Sequence, residues 1–173
     1  MTTHQSSTAS PLLMGRNPTT PIASVPVPTE SEPVIHDLTL RITVGAEEEG
    51  STLERDPRGQ WIGGLRRLGV AKLRYLGNES LLDDAKLLIS ELVTNALRYG
   101  GGGEIGFRLI VTVRRVVIAV NDGSPVTPRL SVVGADEQSG RGLLLVASLA
   151  DDWGVSLDST TTWCALNLRG ASS

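Results

Sequence analysis

This 173-residue sequence predicts an α+β fold, a two-layer α/β sandwich with helices on one face of a mixed sheet. Three observations carry that expectation. Two Val/Ile-rich runs, Glu104 to Val113 and Arg115 to Asn121, meet tightly around Arg114, as buried neighbouring strands do. A strongly amphipathic helical segment lies just before them, between Ser80 and Gly100. Hydrophobic periods of two and of 3.6 then follow one another as strand, helix, helix, two strands, loop, helix, two strands, and such elements bury their apolar sides by packing in layers.

Residues 1–34 read as a disordered Pro/Ser/Thr-rich tail, since six of the nine prolines fall in the first 33 positions with hardly any apolar clustering. Such a segment buries too little surface to offset its chain entropy. Residues 35–170 read as the folded domain. Between His36 and Val44, Leu38, Leu40, Ile42 and Val44 alternate with polar residues, the pattern of a half-buried strand. An acidic patch at Glu47 to Glu49 leads to Pro57 and a helical segment with Trp61, Leu65, Leu68 and Leu76, which Gly59, Gly63, Gly64 and Gly69 weaken. Arg55, Arg58, Arg66, Arg67, Lys72 and Arg74 make that segment basic, either as a solvated face or as a patch for an acidic partner.

The next helix has the clearest signals. Ser80 with Asp83 fits a capping box, Asp83 and Asp84 suit the positive end of the dipole, and Gly100 to Gly103 stop it. Ala85, Leu88, Leu92 and Ala96 form its apolar face, widened by Leu81, Ile89 and Val93, and Asp84, Glu91, Asn95 and Arg98 run beside it. After the two strands comes a loop, Asp122 to Ser139, with Pro125, Pro128, Gly134 and an acidic pair at Asp136 and Glu137. Gly142 to Leu149 reads as a short helix ended by Asp151 and Asp152, and Val155 to Leu157 with Thr162 to Leu168 as a hairpin turning at Asp158 to Thr161.

Composition narrows the function classes. Apolar residues are 40% of the chain but aromatics 3%, so the core must come from Leu, Val, Ile and Ala. A net charge of −3 gives no general attraction to nucleic acid or anionic membrane. Cys164, the single cysteine, excludes an internal disulfide and reads as a small buried apolar residue. No run approaches the roughly 18 apolar residues of a membrane span, and no basic region followed by an apolar block opens the chain. The expectation is a cytoplasmic protein.

Three segments carry chemistry. Glu91 and Asn95 are four apart, so an acid and an amide project from one side of a helix next to its apolar face, where burial is costly without a partner. Asp122 follows a Val/Ile-rich strand and precedes Gly123-Ser124-Pro125, a setting that also suits an ordinary turn aspartate. Gly140 and Gly142 flank Arg141 before an apolar helix, an arrangement that lets backbone amides approach phosphate oxygens and that also serves as a plain helix start.

Glu91-Leu-Val-Thr-Asn-Ala-Leu-Arg-Tyr-Gly100, followed by Asn121-Asp122-Gly-Ser-Pro125 and Ser139-Gly-Arg-Gly-Leu143, resembles the ATP-binding domain of the GHKL superfamily, the Bergerat fold of sensor histidine kinases, Hsp90 and type II topoisomerases. It is most similar to the stand-alone bacterial anti-sigma regulatory factor branch of serine/threonine kinases. The resemblance implies ATP and Mg2+ as ligands. It gives Asn95 the metal, Glu91 the orientation or activation of the attacking hydroxyl or water, and Asp122 with Gly123 the adenine amino group. Gly140, Arg141 and Gly142 are assigned the phosphates, and Thr161 or Thr162 a water behind the adenine. Trp163 is expected in the core. The chain departs from the longer Asp-x-Gly-x-Gly pattern at Ser124 and Pro125. The short stretch between Asp122 and Gly140 leaves enclosure of the triphosphate to a partner or a homodimer mate. The implied partners are an anti-anti-sigma-like protein, a sigma factor or both. Kinase activity and non-catalytic ATP-dependent sequestration both use this pocket.

Overall fold

Residues 24–26, 32–44, 57–100, 103–125 and 141–168 are described by the structure, a computed structural model. In chain order they form β1 (Val34–Thr43), α1 (Pro57–Tyr75), a 3-10 turn (Glu79–Leu81), α2 (Leu82–Tyr99), β2 (Glu104–Thr112), β3 (Arg115–Asn121), α3 (Arg141–Leu149), β4 (Asp152–Val155) and β5 (Thr161–Asn167). The strands make one sheet in the order β1-β2-β3-β5-β4. Every neighbouring pair is antiparallel, which corrects the expectation of a mixed sheet within the anticipated α+β class. The connections explain this. Two helices between β1 and β2 carry the chain away and back, so β2 runs opposite to β1. The single helix α3 does return β4 in the direction of β3, but β5 inserts between them and parts the parallel pair.

Alternation divides the sheet residues between two faces. Phe107, Leu109 and Val111 of β2, Val116 and Ile118 of β3, and Cys164 and Leu166 of β5 face the helices. They meet Leu88, Ile89, Leu92 and Val93 of α2, Leu65 and Leu73 of α1, and Val146 of α3. The glycines of α1 do not break it. Leu65 and Leu73 are buried, each contributing roughly 1.5–3 kcal/mol against about 1 kcal/mol lost per helical glycine. Gly69 also allows close approach, because a Cβ there would lie 2.4 Å from Ile89 Cδ1.

Three boundaries differ from the sequence expectation. The capping box of Ser80 and Asp83 does not form. A 3-10 turn buries Leu81 in the core and moves the helix start to Leu82, leaving Leu81 as a cap residue with no side-chain hydrogen bond. The last hairpin begins earlier than read, at Asp152, because the Asp151 amide already donates to the Ala165 carbonyl at 3.0 Å and Asp151 Oδ2 accepts from the Asn167 amide at 2.7 Å. Its turn is held by Asp158, whose Oδ1 accepts from Ser156 Oγ at 2.5 Å and from the Thr160 amide at 3.1 Å.

The third difference lies before β1. Glu32, read as tail, is buried and pairs with Arg115 through two hydrogen bonds, Nε to Oε1 at 2.8 Å and Nη2 to Oε2 at 2.6 Å. Thr112 Oγ1 donates to the same carboxylate at 2.7 Å. Arg115 holds the Glu32 carboxyl below the usual carboxylate range. On the sheet face away from the helices, Ile110, Val117, Ala119, Trp163 and Ala165 form a second buried cluster, and Val25 packs against it. Trp163 is therefore core, as expected, but of this outer cluster. Cys164 is buried on the helix side, where desolvation pushes its thiol far up.

Candidate functional site

Helix α2 supplies the first half of the site. Its apolar face is buried through Leu88, Ile89, Leu92, Val93 and Ala96, and this leaves Glu91 and Asn95 half-buried at the border of that face. Among the described residues, no side chain or amide hydrogen-bonds to the Glu91 carboxylate or the Asn95 carboxamide. The first turn of α3 stacks directly on Glu91, for a Cβ at Gly142 would lie only 2.6 Å from Glu91 Oε2. The carboxylate thus sits beside the first turn of α3. A side chain at position 142 would have to displace the carboxylate end of Glu91.

The C-terminal end of β3 supplies the second half. Asp122 continues the strand pairing through its amide, which donates to the Thr160 carbonyl at 3.1 Å. Gly123 follows at φ +67°, and the Ser124 amide folds back to donate to Asp122 Oδ1 at 2.9 Å. The side chain is half-buried, and desolvation raises the carboxyl above its ordinary value, with the Ser124 amide opposing that shift. Asp122 packs on the end of α2. A Cβ at Gly100 would lie 2.9 Å from Asp122 Cβ and 2.5 Å from the Ala96 carbonyl oxygen. The sequence reading gave Gly100 only the task of stopping the helix; the Tyr99-Gly100 junction also admits the aspartate.

Two contacts, Glu91 with Gly142 and Gly100 with Asp122, therefore gather α2, the end of β3 and the start of α3. Thr161 stands apart. Its Oγ1 accepts from Asn121 Nδ2 at 2.9 Å, and it lies with Trp163 and Ala165 on the face away from the helices. Thr162, buried opposite Val120 and Val155, is the threonine on the helix side. The one-residue difference decides the face, because strand side chains alternate. Gly140 lies outside the described residues, as does the side chain of Arg141, whose backbone opens α3.

Glu91 and any phosphate brought to the α3 N-terminus would place two anions at one spot, and that calls for a cation between them. Asn95, one turn along, offers a neutral oxygen of the kind magnesium accepts. Among the described residues no cluster of three His, Cys, Asp or Glu side chains could cage a metal. Magnesium suits this setting, since it commonly takes one or two protein ligands and completes its shell with phosphate and water oxygens.

Residues 64–166, from α1 to β5, match the family described as histidine kinase-like ATPase domain. The chain belongs to this family. The matched stretch contains Glu91, Asn95, Gly100, Asp122, Gly142 and Thr162, so the histidine kinase-like ATPase domain includes every residue that the two contacts assemble. No curated protein matches the chain. Among the described residues no helix is long and apolar enough to cross a membrane.

The close contact at Gly100 gives a direct test of the assembly. Gly100→Ala should weaken ATP binding and lower the melting temperature by the equivalent of roughly 1–3 kcal/mol, since the added methyl meets backbone that cannot rotate away. Titration calorimetry and thermal unfolding measure both. An unchanged ATP affinity would show that Asp122 and α2 need not touch.

Proposed function

We propose that this histidine kinase-like ATPase domain is an ATP-binding regulatory protein, a cytoplasmic serine/threonine kinase of the anti-sigma factor type that phosphorylates an anti-anti-sigma-like partner. The carrying observation is the Glu91 carboxylate at the α3 N-terminus, on the same helix side as Asn95 and one helix end away from Asp122. Asp122, half-buried, accepts the adenine amino group and so distinguishes ATP from GTP. The α3 N-terminus, opened to close approach by Gly142, receives phosphate oxygens. Asn95 would hold magnesium through its amide oxygen, and the ion would neutralise charge on the phosphates. Glu91 takes the proton of the partner's seryl Oγ as that oxygen bonds to the γ-phosphorus and the bond to the bridging oxygen breaks, releasing ADP.

The second reading is a non-catalytic, ATP-dependent anti-sigma module. It is favoured by α1, where Trp61, Leu68 and Tyr75 recur every seven residues and are 42%, 39% and 82% exposed beside exposed Arg67 and Arg74. That surface suits a protein partner with apolar and acidic groups, and sequestration needs nothing more. Incubation with labelled Mg-ATP and the co-encoded candidate partner separates the two. Phosphoserine on the partner is the expected result; nucleotide binding and complex formation without phosphate transfer would replace the kinase with the binding module.

A further inference from the structure

A two-layer sandwich with helices on one face leaves the other face to solvent unless something covers it. Here Ile110, Val117, Ala119, Trp163 and Ala165 on that outer face are all buried, Trp163 to 2% exposure. No helix of the described residues lies over them. Val25 does, and Glu32, seven positions on, is tied to the β2–β3 hairpin by Arg115 and Thr112. Pro33 adds a backbone bond, its carbonyl accepting from the Val113 amide at 3.3 Å. Next to Val25 the face opens into a groove of about 330 Å³ whose floor is small, at Gly106 and Ala119, and whose rim is polar, at Thr39, Arg41, Asn121 and Thr161.

From these contacts we infer that the outer face of the sheet is a docking surface for an extended, proline-bearing segment, and that its occupant is this chain's own N-terminal stretch bound in cis. Val25 is the apolar anchor and Glu32 the ionic latch. Pro26, next to the anchor, removes an amide donor and favours extended backbone. The bidentate pairing fixes direction as well as position, since a planar guanidinium meets a carboxylate in one orientation. Another protein could use this face only after the strap leaves.

Thiol accessibility in the full-length chain tests this. In a Cys164→Ser background, Ala119→Cys places one thiol beneath Val25. It should label slowly with a maleimide, at a rate independent of protein concentration. Adding Val25→Asp and Glu32→Arg should speed labelling roughly tenfold or more, the factor expected when a charge-assisted pairing is lost and the open population grows. Circular dichroism confirms that the domain stays folded, and Ala165→Cys serves if Ala119→Cys unfolds it. Fast labelling before the strap is altered, or labelling indifferent to the strap substitutions, would overturn the inference. Protection that vanishes on dilution would also overturn it, by assigning the cover to a second copy.

Discussion

Glu91→Gln should bind Mg-ATP at least as tightly as the wild type and transfer phosphate to the partner roughly 10² to 10⁴ times more slowly. The loss is what general-base assistance is worth in rate. Retained or improved affinity follows from position. The Glu91 carboxylate lies beside the first turn of α3, and with phosphate oxygens bound there, as proposed above, removing its charge would relieve repulsion in the ground state. Glutamine keeps the shape against Gly142. The measurement is paired, with ATP affinity by calorimetry and phosphorylated partner by intact mass. Full transfer by the variant would remove Glu91 from the role of base, and a large fall in affinity would make it a binding residue instead.

Asp122→Asn should weaken ATP binding by about one to two orders of magnitude, the cost of losing roughly 1.5–3 kcal/mol in a hydrogen bond to a charged group. Its effect on the nucleotide-free protein should have the opposite sign. Burial raises the Asp122 carboxyl, so the folded chain holds that proton more tightly than the unfolded chain does. Stability from this group is therefore present below the unfolded value and lost as pH rises through the raised one. At neutral pH the ionised carboxylate opposes folding. Asparagine removes that cost and keeps an oxygen for the Ser124 amide, so the melting temperature should stay the same or rise. ATP affinity of the wild type should fall as acid protonates Asp122. Equal affinities for variant and wild type would separate Asp122 from the adenine.

What the sequence discloses depends on how local the determining interaction is. The apolar face of α2 and the paired runs of β2 and β3 are written in consecutive residues, and every position named on that helix face, from Leu81 to Ala96, is buried. Glu91 and Asn95 stand out for the same reason, as polar groups set against an apolar face. Strand direction is not local. A mixed sheet and an antiparallel one share the same string of elements, and only the insertion of β5 between β3 and β4 separates them. Thr161 and Thr162 show the limit at one residue, because two adjacent threonines fit a strand equally well and register alone decides which faces the helices. Glu32 was hidden by composition. Two carboxylates, Glu30 and Glu32, among prolines, serines and threonines carry no periodic signal, and the partner of Glu32, Arg115, is more than eighty positions away.

Helix α2 touches both ends of the site, at Glu91 through Gly142 and at Gly100 through Asp122. Nine residues separate those points, about 13 Å along a helix axis. The helix is thus a ruler, setting the span between its contact with the start of α3 and its contact with the end of β3. A deletion within residues 92–99 would shorten that span by about 1.5 Å and swing Glu91 about 100° around the axis relative to Gly100. Within this stretch the exposed Arg98 and Tyr99 can vary, whereas its length cannot.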